Sequence, residues 1–229
     1  MKVIILAGGK GTRLPYSAKD IPKPLVEIIG KPIIRHQLDL LAHHGLNDVR
    51  FSLGHRADQI AGYLERVKNE LGGNFEYIVE DEPLGTGGAI KFASKDLSED
   101  FLVLNGDILS NFDFSRFIDF HKNIPHKNSL AVWSCDNTKD YGLIDLDAGG
   151  SILRFLEKQG QGRGHINAGF YILSPEIFKS IKVKSFSVER EIFPILVGMG
   201  ELAGFIHEGN WIDVGTEERL RWAKENFEF

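Results

Sequence analysis

MKVIILAGGKGTRL, residues 1–14, runs an apolar segment, Val3–Ala7, straight into Gly8, Gly9, Lys10, Gly11, Thr12 and Arg13. Glycine gives up more chain entropy on ordering than any other residue, so a close approach should be gained in return. A phosphate suits such a place, because successive backbone N–H groups of a glycine turn can converge on an anion. Lys23, on a stiff extended segment between Pro22 and Pro24, adds a full charge beside that of Arg13. The alternative is a glycine-rich turn with solvated charges, and the loop alone does not choose. Two common phosphate loops fail to fit. A dinucleotide fingerprint needs Gly-x-Gly-x-x-Gly, whereas Gly9 opens Gly-Lys-Gly-Thr-Arg-Leu. A P-loop needs Ser or Thr after Gly-Lys, and Lys10 is followed by Gly11.

Outward from this strand, strand-like and helix-like segments alternate. Residues 2–7 read as a strand and 32–44 as a helix, with Ile33, Ile34, Leu38 and Leu41 near helical spacing and Gly45 as the stop. Strands follow at 48–53, 75–79 and 101–104, separated by helices at 57–71 and 87–95. The pattern predicts crossover units in a mostly parallel sheet covered by helices. Strands at 130–134, 143–146, 152–155 and 168–173 have few helices between them, so the sheet should be mixed, with an antiparallel portion. Phe114, Phe117, Ile118 and Phe120 make a helical core stripe behind Asp113, a candidate cap. Ser174-Pro175-Glu176 and Thr216-Glu217-Glu218 read as helix starts. Residues 159–164 (QGQGRG) read as a mobile loop, not a boundary, leaving one domain over 1–229.

Bulk composition narrows the function classes. Of 229 residues, 42% are hydrophobic and 26% charged, an ordinary soluble balance long enough to bury a core. The net charge of −5 supplies no sequence-wide field to draw nucleic acid. A single cysteine, Cys135, rules out an internal disulfide framework or a thiolate cluster and reads as a small buried hydrophobe beside Trp133. The N-terminal apolar run is too short for a signal peptide or a membrane span, so a cytoplasmic protein without membrane partners is expected. His43 and His44 are adjacent on a helix and do not share a face, which argues against a metal pair.

Two carboxylates carry the chemistry. Asp107, in Asn105-Gly106-Asp107, follows an apolar strand at its carboxyl end, where open α/β sheets place ligands; as a lone residue it also suits a turn. Asp213 lies just before the last helix, where capping is the modest role. The two could converge on one hard cation, since Mg²⁺ takes one or two carboxylates together with phosphate oxygens and water. With these residues stand LAGGKGTRL (6–14), IPKPLVEI (21–28), EPLGTGGA (82–89), LNGD (104–107), Glu157-Lys158, Asn167-Ala168-Gly169 and WIDVGT (211–216). In that order over nearly the whole chain, these motifs resemble the sugar-1-phosphate nucleotidylyltransferases.

The resemblance implies an α/β, Rossmann-like nucleotidyltransferase core whose mixed, mostly parallel sheet is flanked by helices. It implies condensation of a nucleoside triphosphate with a sugar 1-phosphate, giving an NDP-sugar and pyrophosphate. Arg13 and Lys23 become the catalytic cations, and Asp107 and Asp213 the Mg²⁺ ligands. Leu6, Ala7, Gly8, Gly9, Gly11, Thr12, Glu80, Pro83, Gly85, Thr86 and Gly106 fall on the nucleotide. Gly87, Asn105, Glu157, Lys158, Asn167 and Gly169 fall on the sugar phosphate. No side-chain nucleophile is needed, because such transfers run on positioning and charge neutralisation.

The short loop at 15–21 and EPLGTGGAIK together are most similar to D-glycero-α-D-manno-heptose 1-phosphate guanylyltransferases, with mannose-1-phosphate guanylyltransferases next. An acceptor at Glu80 would suit guanine's N–H donors, though Glu80 could equally be solvated. Pro15-Tyr16 departs from the family pattern. UTP, dTTP or CTP in place of GTP stays open, as does a non-catalytic nucleotide-sugar sensor, which the joint presence of Arg13, Lys23, Asp107 and Asp213 weighs against. A single domain without the left-handed helix repeats of some relatives is expected, and a homodimer is compatible with the sequence.

Overall fold

A computed structural model describes residues 1–9, 21–157 and 160–229. Its elements follow the chain as β1 (Val3–Ala7), β2 (Glu27–Ile28), β3 (Lys31–Pro32), α1 (Ile33–His43), β4 (Asp48–Leu53), α2 (Ala57–Leu71), β5 (Asn74–Val79), α3 (Gly85–Ala93), β6 (Phe101–Asn105) and β7 (Ile108–Ser110). They continue as α4 (Phe114–Asn123), β8 (Asn128–Cys135), β9 (Gly142–Leu146), β10 (Ile152–Glu157), β11 (Gly164–Leu173), α5 (Phe193–Gly198), β12 (Leu202–His207), β13 (Trp211–Asp213) and α6 (Glu217–Asn226). Two units divide the chain: Met1–Pro83, Leu104–Phe112 and Gly209–Phe229 form the first, Leu84–Val103 and Asp113–Glu208 the second.

In the first unit β1, β4 and β5 lie in that order, β4 pairing in parallel with both β1 and β5. A parallel strand covered on both faces needs apolar side chains on both, which explains the unbroken run Val3, Ile4 and Ile5, all fully buried. Helix α1 buries Ile33, Ile34, Leu38 and Leu41, and α2 buries Ile60, Leu64 and Val67, the spacing of one apolar stripe each. A separate antiparallel ribbon pairs β7 with β13, Ile212 facing Leu109. Leu109 and Ile212 sink into a cluster with Val26, Ile28, Ile33, Val214, Leu220, Ala223 and Phe227, so α1 and α6 anchor this ribbon.

At the rim of β4 and β5, Lys2 donates to Asp48 at 2.7 Å and Glu76 at 2.9 Å, and Arg50 reaches Glu76 at 2.6 Å. Burial pushes Asp48 upward, but hydrogen bonds from Lys2 and Asn74 outweigh it and hold its carboxyl below the ordinary range. Glu76 is held low chiefly by Lys2, with Arg50 adding to it against partial burial. Both folded-state values lie below the unfolded ones, so the stability they contribute is present above the ordinary carboxylate range and is lost as pH falls through the depressed values. Both carboxylates are more than a third exposed, so the effect is modest. A Lys2→Met variant should show a shallower decline of Tm between about pH 5 and pH 3 than wild type. Parallel slopes would remove this network from the acid response.

In the second unit the order is β10-β9-β11-β6, with β8 pairing β11 antiparallel and β12 pairing β8 in parallel. Phe193 of α5 meets Phe155 and Tyr171 edge-on, with centroids 5.3 and 5.0 Å apart. The architecture is the α/β one expected: a mixed, mostly parallel sheet flanked by helices, the antiparallel pairs of the main sheet falling in this unit. Among the described residues, no helix is long and apolar enough to cross a membrane.

Local expectations fare unevenly. Asp113 caps α4, accepting from Arg116 N at 2.9 Å, and Thr216 caps α6. Ser174 caps only a single turn, Pro175–Phe178. Helix α3 opens at Gly85, two residues before the expected start, because its cap comes from a distant segment (below). Cys135 is half-buried, not buried: it ends β8, and its thiol donates to Asn137 O at 3.1 Å. The His43 and His44 rings, though adjacent, touch edge to face at 5.2 Å.

Candidate active site

In the first unit, strand ends and one ribbon assemble the carboxylates. Gly106 N donates to Leu6 O at 3.0 Å, tying the end of β6 to β1. A Cβ at position 106 would lie 2.5 Å from that oxygen, so only glycine lets the two backbones approach. The next residue is Asp107, whose carbonyl accepts from Val214 N at 2.8 Å. Because Asp213 pairs with Ile108, the ribbon sets Asp107 and Asp213 at neighbouring positions although 105 residues intervene in the chain. Alternation along β13 puts Ile212 into the core cluster and turns Asp213 the other way.

Each carboxylate has a cation. Lys23 opens a single helical turn, Lys23–Leu25, with Pro22 and Pro24 buried on either side, and its Nζ donates to Asp107 Oδ2. Arg219, one turn into α6, donates through Nη1 to Asp213 Oδ1 and Oδ2 at 2.9 and 2.7 Å, and Gly215 N adds a bond at 2.9 Å. Among the described residues, no group of three or more His, Cys, Asp or Glu side chains gathers to cage a metal. Two carboxylates at neighbouring backbone positions nevertheless supply the hard oxygen donors that Mg²⁺ takes, with phosphate oxygens and water completing its shell.

Glu80 ends the β5 region, its backbone N–H donating to Leu53 O at 2.8 Å. One carboxylate oxygen accepts from Ser52 Oγ at 2.9 Å and would stand 3.0 Å from a Cβ at Gly8. Half-buried against the glycine turn, Glu80 is tethered instead of freely solvated. Ala7 is buried, Gly9 and Pro83 exposed, and Asn105 half-buried. Arg13, Gly11, Thr12 and Lys158 lie outside the described residues.

The second unit holds the remaining positions. Leu84 offers α3 no side-chain cap; instead Phe186 O accepts from Gly87 N at 2.9 Å and Gly88 N at 3.3 Å, and Phe186 N donates to Leu84 O at 3.0 Å. Thr86 Oγ1 donates to Glu189 Oε2 at 2.5 Å and accepts from Val188 N at 3.0 Å, and Ser187 Oγ also donates to Glu189 at 2.7 Å. The one hydroxyl proton of Thr86 is therefore committed inside the protein. Asn167 Nδ2 donates to Tyr171 Oη at 2.9 Å and its Oδ1 accepts from Gly169 N at 2.9 Å, spanning the irregularity in β11 where Gly169 adopts φ +77. Among the described residues this leaves one N–H and one lone pair of the Asn167 amide unused. Glu157 is half-buried, with Oε2 beside Gly142.

Sequence reasoning missed Arg219 and Glu189. Arg219 follows the cap Thr216 by three residues, so helix phasing could have returned it toward Asp213. Nothing local marks Glu189, which meets Thr86 across 102 intervening residues.

Paired acids at the carboxyl end of a parallel sheet, each with its own cation beside a glycine turn, make an arrangement suited to phosphate chemistry on an α/β core. The chain belongs to the nucleotidyl transferase family, whose model matches residues 2–228. It is 41% identical over 221 residues to a mannose-1-phosphate guanyltransferase of Saccharomyces cerevisiae and equally to a mannose-1-phosphate guanyltransferase 2 of Candida glabrata, covering 94% of this chain and 61% of each relative. The chain thus spans about three fifths of the length of these curated relatives. It also superposes on HddC from Yersinia pseudotuberculosis complexed with GMP-PN, with TM-score 0.85, 36% identity and 99% of both chains covered. A Bacillus anthracis structure with bound sucrose, 23% identical, matches with TM-score 0.89 over 100% of this chain and 97% of its own, a likeness of fold alone.

Proposed function

We propose that this chain is a Mg²⁺-dependent sugar-1-phosphate guanylyltransferase acting on a manno-configured sugar phosphate, heptose or mannose. A phosphate oxygen of the sugar 1-phosphate attacks the α-phosphorus of GTP, the bond to the bridging oxygen breaks, and pyrophosphate leaves as the GDP-sugar forms. The observation that carries this reading is the placement of Asp107 and Asp213 at neighbouring positions of one ribbon, Asp107 in contact with Lys23. The mannose-1-phosphate guanyltransferase relatives and the GMP-PN complex of HddC support guanine and the manno configuration.

In this reading Asp107 and Asp213 hold the cation, which when bound offsets charge on the reacting phosphates. Lys23 orients Asp107 and meets the α-phosphate region, and Arg219 keeps the Asp213 carboxylate turned toward the site. Leu6 to Gly9 and Gly106 line the nucleotide with open backbone, and Glu80 accepts from the guanine edge. Asn167 and Glu157 read sugar hydroxyls. Arg13 and Lys158, with Gly11 and Thr12, act on the phosphates. Thr86 serves the nucleotide through the shape of the Gly85–Gly87 turn, since its proton is spent. Residues 1–229 act as one nucleotidyltransferase domain in the cytoplasm, without nucleic-acid or membrane partners, and the product serves surface-glycan synthesis.

The test is a matrix of GTP, UTP, dTTP and CTP against manno-heptose, mannose and glucose 1-phosphates, scored by pyrophosphate release. GTP with a manno substrate should give the strongest signal, and chelating Mg²⁺ should abolish it. Turnover of UTP with glucose 1-phosphate but not GTP with either manno substrate would refute the substrate assignment. Binding of GDP-mannose with no pyrophosphate from any pair would refute the enzyme.

A further inference from the structure

We infer that Gln37 is a positioning residue for Asp107, an inference that rests on Asp107 acting at the reacting phosphates as proposed above. Gln37 sits on α1 between Ile34 and Leu38, on the buried face, only 4% exposed. A polar side chain in such a place costs stability unless its donors and acceptors are used. Its Nε2 donates to Asn105 O at 2.9 Å and to Ile108 O at 3.0 Å, the carbonyls on either side of Gly106-Asp107. Carbonyls only accept, so the amide nitrogen must face them, and both its protons are used.

The other end of the same amide is not satisfied. Gln37 Oε1 is buried and has no hydrogen-bond partner among the described residues. A residue serving packing alone would be better as leucine or methionine, which fill similar space without an orphaned oxygen. What glutamine adds is a two-pronged donor that closes the turn. With Val214 N on Asp107 O, the carbonyls of Asn105, Asp107 and Ile108 are all held, and Gly106 N is tied to Leu6. The turn is fixed at each of these points, two of them from α1, so Gln37 helps set the direction in which the Asp107 carboxylate leaves it. Groups that orient a metal-binding carboxylate from behind commonly change affinity or rate by ~10–100-fold when removed.

Gln37→Leu removes the donors, and Gln37→Glu keeps the shape while turning a carboxylate on two carbonyls. Each is to be compared with wild type and Asp107→Ala in three measurements: Mn²⁺ affinity of the protein–GTP complex without sugar phosphate, read from the electron paramagnetic resonance of free Mn²⁺; kcat and KM; and Tm. The expected result is Mn²⁺ affinity and kcat both reduced ~10-fold or more, with KM for GTP little changed. If Gln37→Leu does not fold, Gln37→Glu carries the measurement. A lowered Tm with wild-type Mn²⁺ affinity and kcat would make Gln37 merely structural and overturn the inference. If Asp107→Ala also keeps both properties, the reading of the site falls with it; if Asp107→Ala loses both while the Gln37 variants keep them, only the role of Gln37 falls.

Discussion

Asp107→Ala should lower kcat at least ~10²-fold while leaving the fold intact. The side chain is 31% exposed, and the bond that ties Asp107 into the ribbon, Val214 N to its carbonyl, is made by backbone and survives the change. What is lost is one carboxylate beside Lys23, which in the proposed mechanism would hold the cation that offsets charge on the transferring phosphate. In a water-excluded site one such group is worth several kcal/mol to the transition state. Asp107→Asn separates charge from shape: the amide oxygen can still accept from Lys23, but the negative charge is gone, so turnover should fall nearly as far. Lys23→Ala should also fall by ~10² or more, with the carboxylate left unpaired. The measurements are steady-state pyrophosphate release, with circular dichroism and Tm as fold controls. A well-folded Asp107→Ala enzyme with near-normal kcat would end the assignment of this carboxylate to metal.

How much of this was readable before coordinates depends on the range of the physics involved. The parallel half announced itself because strands covered on both faces must be continuous apolar runs, as at Val3–Ala7 and Phe101–Asn105, and because α2 carries one clean stripe ending at a glycine. β7 and β13 were silent: three residues each, they become strands only by pairing with one another about a hundred residues apart. Strand β12 was missed for a similar reason, gaining its identity from β8. Asp107, Asp213 and Lys23, the cation that meets Asp107, were legible as motif residues, but Arg219 and Glu189 were not. Arg219 depends on the reversal at Gly215 and the phase of α6, and Glu189 on how residues 184–189 lie along α3. Gln37 did leave a trace, as the polar break in the apolar face of α1 between Ile34 and Leu38. The glycines after Leu84 open α3 itself, and nothing in the sequence names the surface they approach.

That surface makes the largest stability prediction. Gly88→Ala should destabilise the protein by about 2–3 kcal/mol, against the direction that helix propensity alone would give. A Cβ at position 88 would lie 2.2 Å from Lys184 O and 3.0 Å from the Leu84 Cβ. The obstructing atom is backbone, so it cannot swing aside as the tip of a long side chain would. Relief requires the segment around Lys184 to retreat, and that segment carries the Phe186 carbonyl that caps Gly87 and Gly88. Overpacking costs about 1–3 kcal/mol and each weakened hydrogen bond about 1 more, while alanine in a helix returns only about 1. The clash wins. Gly62→Ala supplies the opposite case within the same molecule: it is exposed in the middle of α2, and its new methyl would meet only Arg66 Nη1 at 3.9 Å. There propensity acts alone, and stability should rise by about 0.5–1 kcal/mol. Urea unfolding of the two variants should therefore move the midpoint in opposite directions. Equal shifts, or a stabilised Gly88→Ala, would mean that residues 184–186 yield freely and do not cap α3.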